Sequence, residues 1–178
     1  MRFDECLAWL ISPQIEGGYS DRRADRGGAT NKGITQHTYD IYRQSLHLPL
    51  QPVKFLTLEE TSDIYRTSYW NPVKAGKLPT PLDLCLFDAS VQHGTGRASK
   101  WLQRVVGTTP DGSIGNATLT ALAALISRNG LKSVVDEYMK IREDFYAEII
   151  ANDPSQVVFK NGWANRMGFL KIAIKEFV

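Results

Sequence analysis

The sequence predicts a mainly α-helical fold, and three observations support this prediction. Apolar residues recur at intervals of three and four through most of the chain, alternation with a period of two is scarce, and helix start and stop signals separate the apolar stretches. The 178 residues are 43% hydrophobic and 22% charged, a composition that can build a packed core. Because no Pro-rich or Ser-rich linker interrupts the chain, we expect one compact body.

The first helices are predicted from an apolar face and a capping signal. The apolar positions from Phe3 to Ile11 form one face of a helix that ends near Pro13. Thr57 and Glu60 have the spacing of a capping box, in which a hydroxyl and a carboxylate satisfy free N–H groups at a helix start. This spacing predicts a second helix from about residue 58.

Two shorter helices are predicted next. Thr80-Pro81 is a helix start, and Gly94 ends the apolar stretch that follows it. Apolar residues between Ala98 and Val105 predict another helix, closed by Gly107.

Three helices complete the predicted order. Asn116 can cap one that stops at Asn129-Gly130. The longest is predicted from about Leu131 to Ala151, because its apolar face continues until Pro154 excludes further helix. The last carries the apolar residues between Trp163 and Ile174.

Charge and composition exclude several classes of protein. Lys and Arg total 21 against 19 Asp and Glu, and the net charge of +2 is too small to indicate nucleic-acid binding. Asp4 and Glu5 interrupt the apolar run of a signal peptide, and no stretch approaches the roughly 20 apolar residues of a membrane span. We expect a soluble protein that is synthesised in the cytoplasm without membrane insertion. Cys6 and Cys85 lie in apolar surroundings, which predicts buried thiols in a reducing compartment.

One segment does not fit a helical pattern. Residues 16–35 read EGGYSDRRADRGGATNKGIT, with five glycines and almost no apolar side chain. Such a segment is costly to order, and long irregular segments of compact domains commonly carry function. We therefore expect a functional loop or small β-hairpin at this place.

The loop contains carboxylates in two different environments. Glu16 follows Ile15 at the close of the first predicted helix, where partial burial favours the protonated form that a general acid needs. Asp25 lies beside Arg26 in a polar stretch and is expected to stay ionised. This contrast favours separate acid and base roles. The alternative is that these acidic residues are solvated or form Asx turns.

The spacing of other residues gives no support for a metal or a cofactor. His37, His47 and His93 lack metal-ligand spacing, and Asp21 with Asp25 lacks the ligand ladder of a calcium-binding loop. Residues 27–33 do not match a phosphate-binding loop. We expect neither a metal ion nor a cofactor.

The loop resembles the signature of a known family. Residues 16–19, EGGY, and residues 25–35, DRGGATNKGIT, are similar to the glycoside hydrolase family 108 lysozymes, phage endolysin-like N-acetylmuramidases formerly called secretion activator proteins. The likeness continues through Tyr69-Trp70 and Phe87-Asp88, and segments between Leu102 and Leu119 resemble the peptidoglycan-binding region joined to these enzymes. The resemblance implies a lysozyme-like helical domain over residues 1–90 and a helical peptidoglycan-binding region over residues 91–178.

The resemblance also implies roles for individual residues. It makes Glu16 the general acid, Asp25 the carboxylate that positions or activates water, and Thr30 the hydroxyl that helps to hold that water. Further contacts with the substrate are implied at Tyr19, Gly28, Asn31 and Gln92. The sequence departs from the family where Arg26 replaces a common proline and Gln92 a usual asparagine.

The implied activity is hydrolysis of the β-1,4 bond between N-acetylmuramic acid and N-acetylglucosamine in bacterial peptidoglycan. We expect general acid and base catalysis with inversion, carried out by a monomer that reaches the wall after holin-type or other release. Two alternatives stay open: a lytic transglycosylase, in which the muramyl 6-hydroxyl replaces water, and a non-catalytic wall-binding or secretion-associated module. The cluster Arg22, Arg23 and Arg26 can attract muramyl carboxylates or wall phosphates, and no nucleic-acid partner is expected.

Overall fold

The computed structural model describes residues 2–21 and 28–177 and confirms a mainly α-helical fold with a small sheet. By contacts the chain divides into two compact units, Met1–Ser68 and Tyr69–Val178. The boundary predicted near residue 90, and the packing of both regions as one body, stay predictions.

The described residues of the first unit form three helices and one sheet. The helices are α1 (Arg2–Leu10), α2 (Gln36–Ser45) and α3 (Leu58–Tyr65), and a 3₁₀ turn at Val53–Phe55 precedes α3. The antiparallel sheet has the order β1 (Tyr19–Ser20), β2 (Thr30–Asn31) and β3 (Ile34–Thr35). The predicted small hairpin is therefore present.

The first helix is shorter than predicted. Helix α1 ends at Leu10 rather than near Pro13, because a proline disfavours the helical conformation of the residue before it, here Ser12. Glu16 consequently follows a series of turns and does not close the helix.

Helix α2 was not predicted from the sequence. Its only buried residue is Tyr39, so it has no apolar stripe for periodicity to detect. Polar contacts hold it instead: the Tyr39 hydroxyl donates to Glu60 Oε2 at 2.7 Å, and Arg43 Nη1 lies 2.6 Å from Glu60 Oε1. At its start the Thr35 hydroxyl accepts from the Thr38 N–H at 3.1 Å.

The capping box at the start of α3 is confirmed. The Thr57 hydroxyl accepts from the Glu60 N–H at 3.1 Å, and the Glu60 carboxylate accepts from the Thr57 N–H at 3.0 Å. Because Glu60 also binds residues of α2, this cap fixes two helices of the first unit at once.

The second unit is helical in its described residues. Its helices are α4 (Leu82–His93), α5 (Thr95–Val105), α6 (Asn116–Asn129), α7 (Leu131–Asn152) and α8 (Lys160–Ile174). Short turns of 3₁₀ helix lie at Ala75–Lys77, Pro154–Phe159 and Lys175–Phe177. The predicted glycine stops at residues 94 and 130 are confirmed, and both glycines have a positive φ.

The centre of the second unit contains a buried ion cluster. Asp88 of α4 is fully buried and contacts Arg142 of α7 and Arg166 of α8, with Arg166 Nη2 2.7 Å from Asp88 Oδ1. Burial alone would raise the pKa of Asp88, but the two arginines outweigh it and hold that pKa below its usual range. The cluster therefore joins three helices that are distant in sequence.

Both cysteines are buried and neither forms a disulfide, which confirms the prediction of buried thiols. Of the helices in the described residues, none combines the length and the apolar character of a bilayer span.

Candidate active site

The glycine-rich segment folds as a small sheet that presents one side of the candidate site. β1 pairs with β2, and β2 pairs with β3, so that Thr30 lies opposite both Ser20 and Thr35. Residues that face each other across antiparallel strands share one face of a sheet. Thr30 therefore belongs to a row of three hydroxyl-bearing residues.

Glu16 is held close to the end of α1 by its backbone. Its N–H donates to the Leu10 carbonyl at 3.2 Å, and the following Gly17 N–H donates to the Ser12 carbonyl at 3.1 Å. Gly17 has a φ of +64°, a conformation that glycine adopts without steric penalty. These bonds fix the backbone of Glu16, and the residue is half-buried.

The turn between β2 and β3 lies against the Glu16 carboxylate. Its central residues, Lys32 and Gly33, have φ values of +50° and +77°, as in a type I′ turn. A Cβ atom at Gly33 would lie 2.7 Å from Glu16 Oε2 and 2.6 Å from the Tyr65 hydroxyl oxygen. These distances are shorter than van der Waals contact, so only glycine fits between the two side chains.

Tyr65 is a site residue that the sequence analysis did not identify. It is 1% exposed and lies on the last turn of α3, and its hydroxyl donates to the Lys32 carbonyl at 2.7 Å. The phenol thus fixes the hairpin turn beside Glu16. A tyrosine at an apolar position of a helix indicates core packing, and Tyr65 does pack in the core. The spacing of apolar residues in α3 therefore gave no signal that Tyr65 also binds the hairpin turn.

Asn31 is placed inside the first unit rather than on its surface. It is 6% exposed, and its Nδ2 donates to the Val53 carbonyl at 3.1 Å and the Lys54 carbonyl at 3.4 Å. These bonds hold the 3₁₀ turn at residues 53–55 against the hairpin. A contact between Asn31 and substrate stays a prediction.

Tyr19, in β1, and Gly28, shortly before β2, both lie at the surface. The Tyr19 ring is 49% exposed, and its hydroxyl donates to Asp21 Oδ2 at 3.3 Å. Desolvation and the Asp21 carboxylate raise the pKa of Tyr19. Gly28 has a φ of +68° and is exposed.

The second predicted carboxylate, Asp25, lies outside the described residues, as does the cluster Arg22, Arg23 and Arg26. Gln92 belongs to the second unit, where it is exposed on the last turn of α4. The structure thus brings Glu16 and the hairpin of Thr30 and Gly33 together in the first unit. Among the side chains that it describes, no three His, Cys, Asp or Glu are grouped so that they could hold a metal ion.

Within the segment that resembles a peptidoglycan-binding region, residues 111–113 form a turn that is held by hydrogen bonds to Gln103. Buried Gln103 of α5 donates to Asp111 Oδ1 at 2.7 Å and accepts from the Gly112 N–H at 2.8 Å. The hydrogen bonds from Gln103 and from the Ser113 N–H lower the pKa of Asp111. These residues order the turn before α6, and a contact with glycan or peptide there stays a prediction.

Two protein-family models match this chain. The model described as glycosyl hydrolase 108 matches residues 11–94, and the model described as predicted peptidoglycan domain matches residues 97–168. Among solved structures, that of SagA from Brucella abortus is similar, with 32% identity and a TM-score of 0.79. The alignment covers 99% of this chain and 95% of the SagA chain. No curated protein sequence matches.

Proposed function

As a member of the glycosyl hydrolase 108 family with a peptidoglycan domain, this chain is a peptidoglycan hydrolase, and we propose that it is an N-acetylmuramidase. The bond cleaved in this proposal is the β-1,4 bond from C1 of N-acetylmuramic acid to O4 of N-acetylglucosamine. The proposal includes inversion at C1.

The placement of Glu16 is the observation that carries this proposal. Its carboxylate is half-buried and lies against the backbone of Gly33, a position of the hairpin turn where a side chain would not fit. A glycosidic oxygen is a poor leaving group until it is protonated, so a positioned carboxylic acid is the first requirement of the reaction. Glu16 meets this requirement in our proposal.

The second carboxylate of the mechanism is Asp25. In its ionised form it takes a proton from a water molecule, and that water attacks C1 as the bond to O4 breaks. The proton of Glu16 goes to O4, which leaves as the 4-hydroxyl of N-acetylglucosamine, and both carboxyl groups then exchange protons with solvent. Thr30 supports this step in our proposal, because a hydroxyl can accept from the water and hold it in line.

The proposal is tested with the Glu16→Gln variant. The amide keeps the volume of the side chain but cannot donate the proton, and general acid catalysis is typically worth about a hundred- to ten-thousand-fold in rate. We expect the folded variant to lose lysis of purified sacculi, measured as turbidity, while Glu59→Gln at an exposed position of α3 keeps it. Retention of more than about a tenth of wild-type activity would contradict the acid role.

Mass spectrometry of the released muropeptides distinguishes the remaining alternatives. Products with a reducing N-acetylmuramic acid end support the muramidase, and a 1,6-anhydro end would assign a lytic transglycosylase. If the wild-type protein binds sacculi but releases no fragment, the chain is a wall-binding module.

A further inference from the structure

The outward face of α5 carries three cations in one stripe. Arg97, Lys100 and Arg104 are exposed, whereas the positions between them that face inward are buried. With about 3.6 residues per turn and a rise of about 1.5 Å, positions 97, 100 and 104 follow one line over roughly 10 Å. The sequence of α5, TGRASKWLQRV, contains no Asp or Glu that could compensate these charges.

Of the three cations, Lys100 lies near the carboxylate of Asp111 and contributes to the lowered pKa of that group. None of them forms an ion pair with a carboxylate among the side chains that the structure describes. The exposed lysines of α7 differ, since Lys132 pairs with Asp136 at 2.5 Å and Lys140 with Asp144 at 2.6 Å. The three cations of α5 are therefore not held in close ion pairs, in contrast to these two lysines of α7.

The stripe lines an open groove of about 600 Å³ that also has aromatic walls. His93, Trp101 and Phe145 contact one another edge to face, with ring centroids 5.1 to 5.4 Å apart. The guanidinium of Arg97 lies 4.6 Å from the centroid of Phe145, so one cation is already held over a ring. The groove is large enough for a few residues of a peptide or sugar chain.

The groove is positively charged at neutral pH. Its ionisable lining consists of the three cations, the carboxylate of Glu148 and the imidazole of His93. Burial, together with the nearby Arg142, lowers the pKa of His93 to about 3, so the ring is neutral. Three positive charges against one negative leave a net charge of +2.

A second groove in the same unit lacks this character. It has a volume of about 350 Å³ between α7 and α8 and is lined mainly by apolar groups around Tyr146 and Trp163. Its Lys171 is neutralised by Glu143 at 2.5 Å. The groove along α5, which we call the α5 groove, is therefore the more positively charged of these two.

We propose that the α5 groove binds the stem peptides of peptidoglycan through their free carboxylates. This inference rests on the proposed function in one respect, that peptidoglycan is the substrate. The glycan strand itself is uncharged once its lactyl groups carry peptides, so the negative charge of the polymer lies in the peptide stems. The match to a peptidoglycan domain begins at residue 97 and covers the three cations of α5 and the α7 residues of the groove.

The length of the stripe agrees with this ligand. An extended chain advances about 3.5 Å per residue, so carboxylates on neighbouring residues of a stem tripeptide fall within the roughly 10 Å between positions 97 and 104. Charge-assisted hydrogen bonds from Arg and Lys to carboxylates are among the stronger polar contacts. The groove should therefore discriminate against stems whose carboxylates are amidated.

The test measures binding of a synthetic stem tripeptide, L-alanyl-γ-D-glutamyl-diaminopimelate, by titration calorimetry. The variant Arg97→Gln/Lys100→Gln/Arg104→Gln removes the stripe, and a matched control, Arg128→Gln/Lys132→Gln/Lys140→Gln, removes the same charge from exposed positions elsewhere in the second unit. We expect the stripe variant to lose affinity by about tenfold or more, and the control to stay within about twofold of wild type. The tripeptide with all three carboxyl groups amidated should bind the wild-type protein about tenfold more weakly, and added salt should weaken binding of the free acid.

Several outcomes would overturn the inference. Equal affinity of wild-type protein and stripe variant for the tripeptide, or equal affinity of wild-type protein for the acid and the amide, would exclude carboxylate recognition in the groove. Tighter binding of a glycerol-phosphate oligomer or of duplex DNA, lost in the stripe variant, would assign the groove to phosphates instead. If the stripe variant does not fold, the inference is tested by two other measurements. These are the affinities of wild-type protein for the acid and the amide, and the affinity of the single variant Lys100→Gln for the acid.

A separate assay keeps this inference distinguishable from the proposed activity. Glycan strands freed of peptides by an amidase offer the scissile bond without the stem-peptide carboxylates, and methyl esterification of the lactyl groups that the amidase exposes removes the remaining negative charge. The stripe variant should cleave these strands at the wild-type rate while cleaving intact sacculi more slowly at low substrate. Wild-type protein that binds the tripeptide but cleaves no glycan would contradict the muramidase proposal alone.

Discussion

Substituting Gly33 by alanine tests the link between the hairpin turn and the proposed acid. The new methyl group would lie 2.7 Å from Glu16 Oε2 and 2.6 Å from the Tyr65 hydroxyl oxygen. The Tyr65 ring is buried and hydrogen-bonded to the turn, so it cannot move freely away. We therefore expect the Glu16 carboxylate or the turn to shift by several tenths of an ångström.

Two effects of this substitution have different magnitudes. The φ of +77° costs an alanine about 1–2 kcal/mol of folding free energy, apart from any clash. Displacement of a catalytic group by about 1 Å can lower a rate about a hundredfold, so a smaller shift should cost about ten- to a hundredfold in activity. Gly130→Ala is the matched control, because Gly130 has a φ of +80° and no atom within 4 Å of the added Cβ. It should lose stability but keep its activity.

The assays are urea unfolding and lysis of sacculi at saturating substrate. Unchanged activity in folded Gly33→Ala would refute the claim that this turn positions Glu16. Tyr65→Phe removes the nearer of the two contact atoms, so the double variant should recover part of the stability that Gly33→Ala loses. Strict additivity of the two changes would mean that the hydroxyl and the methyl group do not meet.

The remaining predictions concern the water, the stereochemistry and the ion cluster. Asp25→Asn should be nearly inactive and Thr30→Ala partly active in sacculus lysis, and full activity of Asp25→Asn would move the base role to another residue. Proton NMR of fresh products should show the α-anomer first, whereas an initial β-anomer would mean retention. Asp88→Asn should lower the free energy of urea unfolding by about 3–5 kcal/mol, because it leaves two buried arginines without their carboxylate, while the exposed Asp136→Asn should cost less than about 1 kcal/mol. The two arginines outweigh the burial of Asp88 and depress its pKa in the folded protein. The stabilisation that ionised Asp88 provides is therefore fully present above its unfolded pKa of about 3.9 and is lost as the pH falls through the folded pKa. Wild-type protein should consequently lose more stability on acidification than the Asp88→Asn variant.

The helices show which parts of the fold depend on neighbouring residues alone. The capping box of Thr57 and Glu60 and the stop at Gly130 are confirmed, since capping and positive φ are satisfied within a few residues. The end of the first helix was misplaced, although Pro13 was recognised, because the effect of a proline reaches the residue before it. Helix α2 was missed because its contacts are polar and only Tyr39 is buried.

The candidate site shows a similar division. Glu16, Asp25 and Thr30 were predicted from a contiguous motif, and the hairpin that carries Thr30 is present. Tyr65 of α3 joins the site although it lies 33 positions after Lys32, the turn residue whose carbonyl accepts its hydrogen bond. No local pattern marks such a partner.

The sequence by itself determined the helical class, most helix ends and the segment that carries the proposed chemistry, because periodicity, caps and a glycine-rich motif are written in adjacent residues. Only the tertiary structure decided which side chains meet across the fold. Asp88 contacts Arg142 and Arg166, which lie 54 and 78 positions away in the sequence. The cations of α5 line a groove only because α7 packs beside α5. Such pairings depend on how buried faces of distant helices fit together, and many sequences with the same local pattern would pair differently.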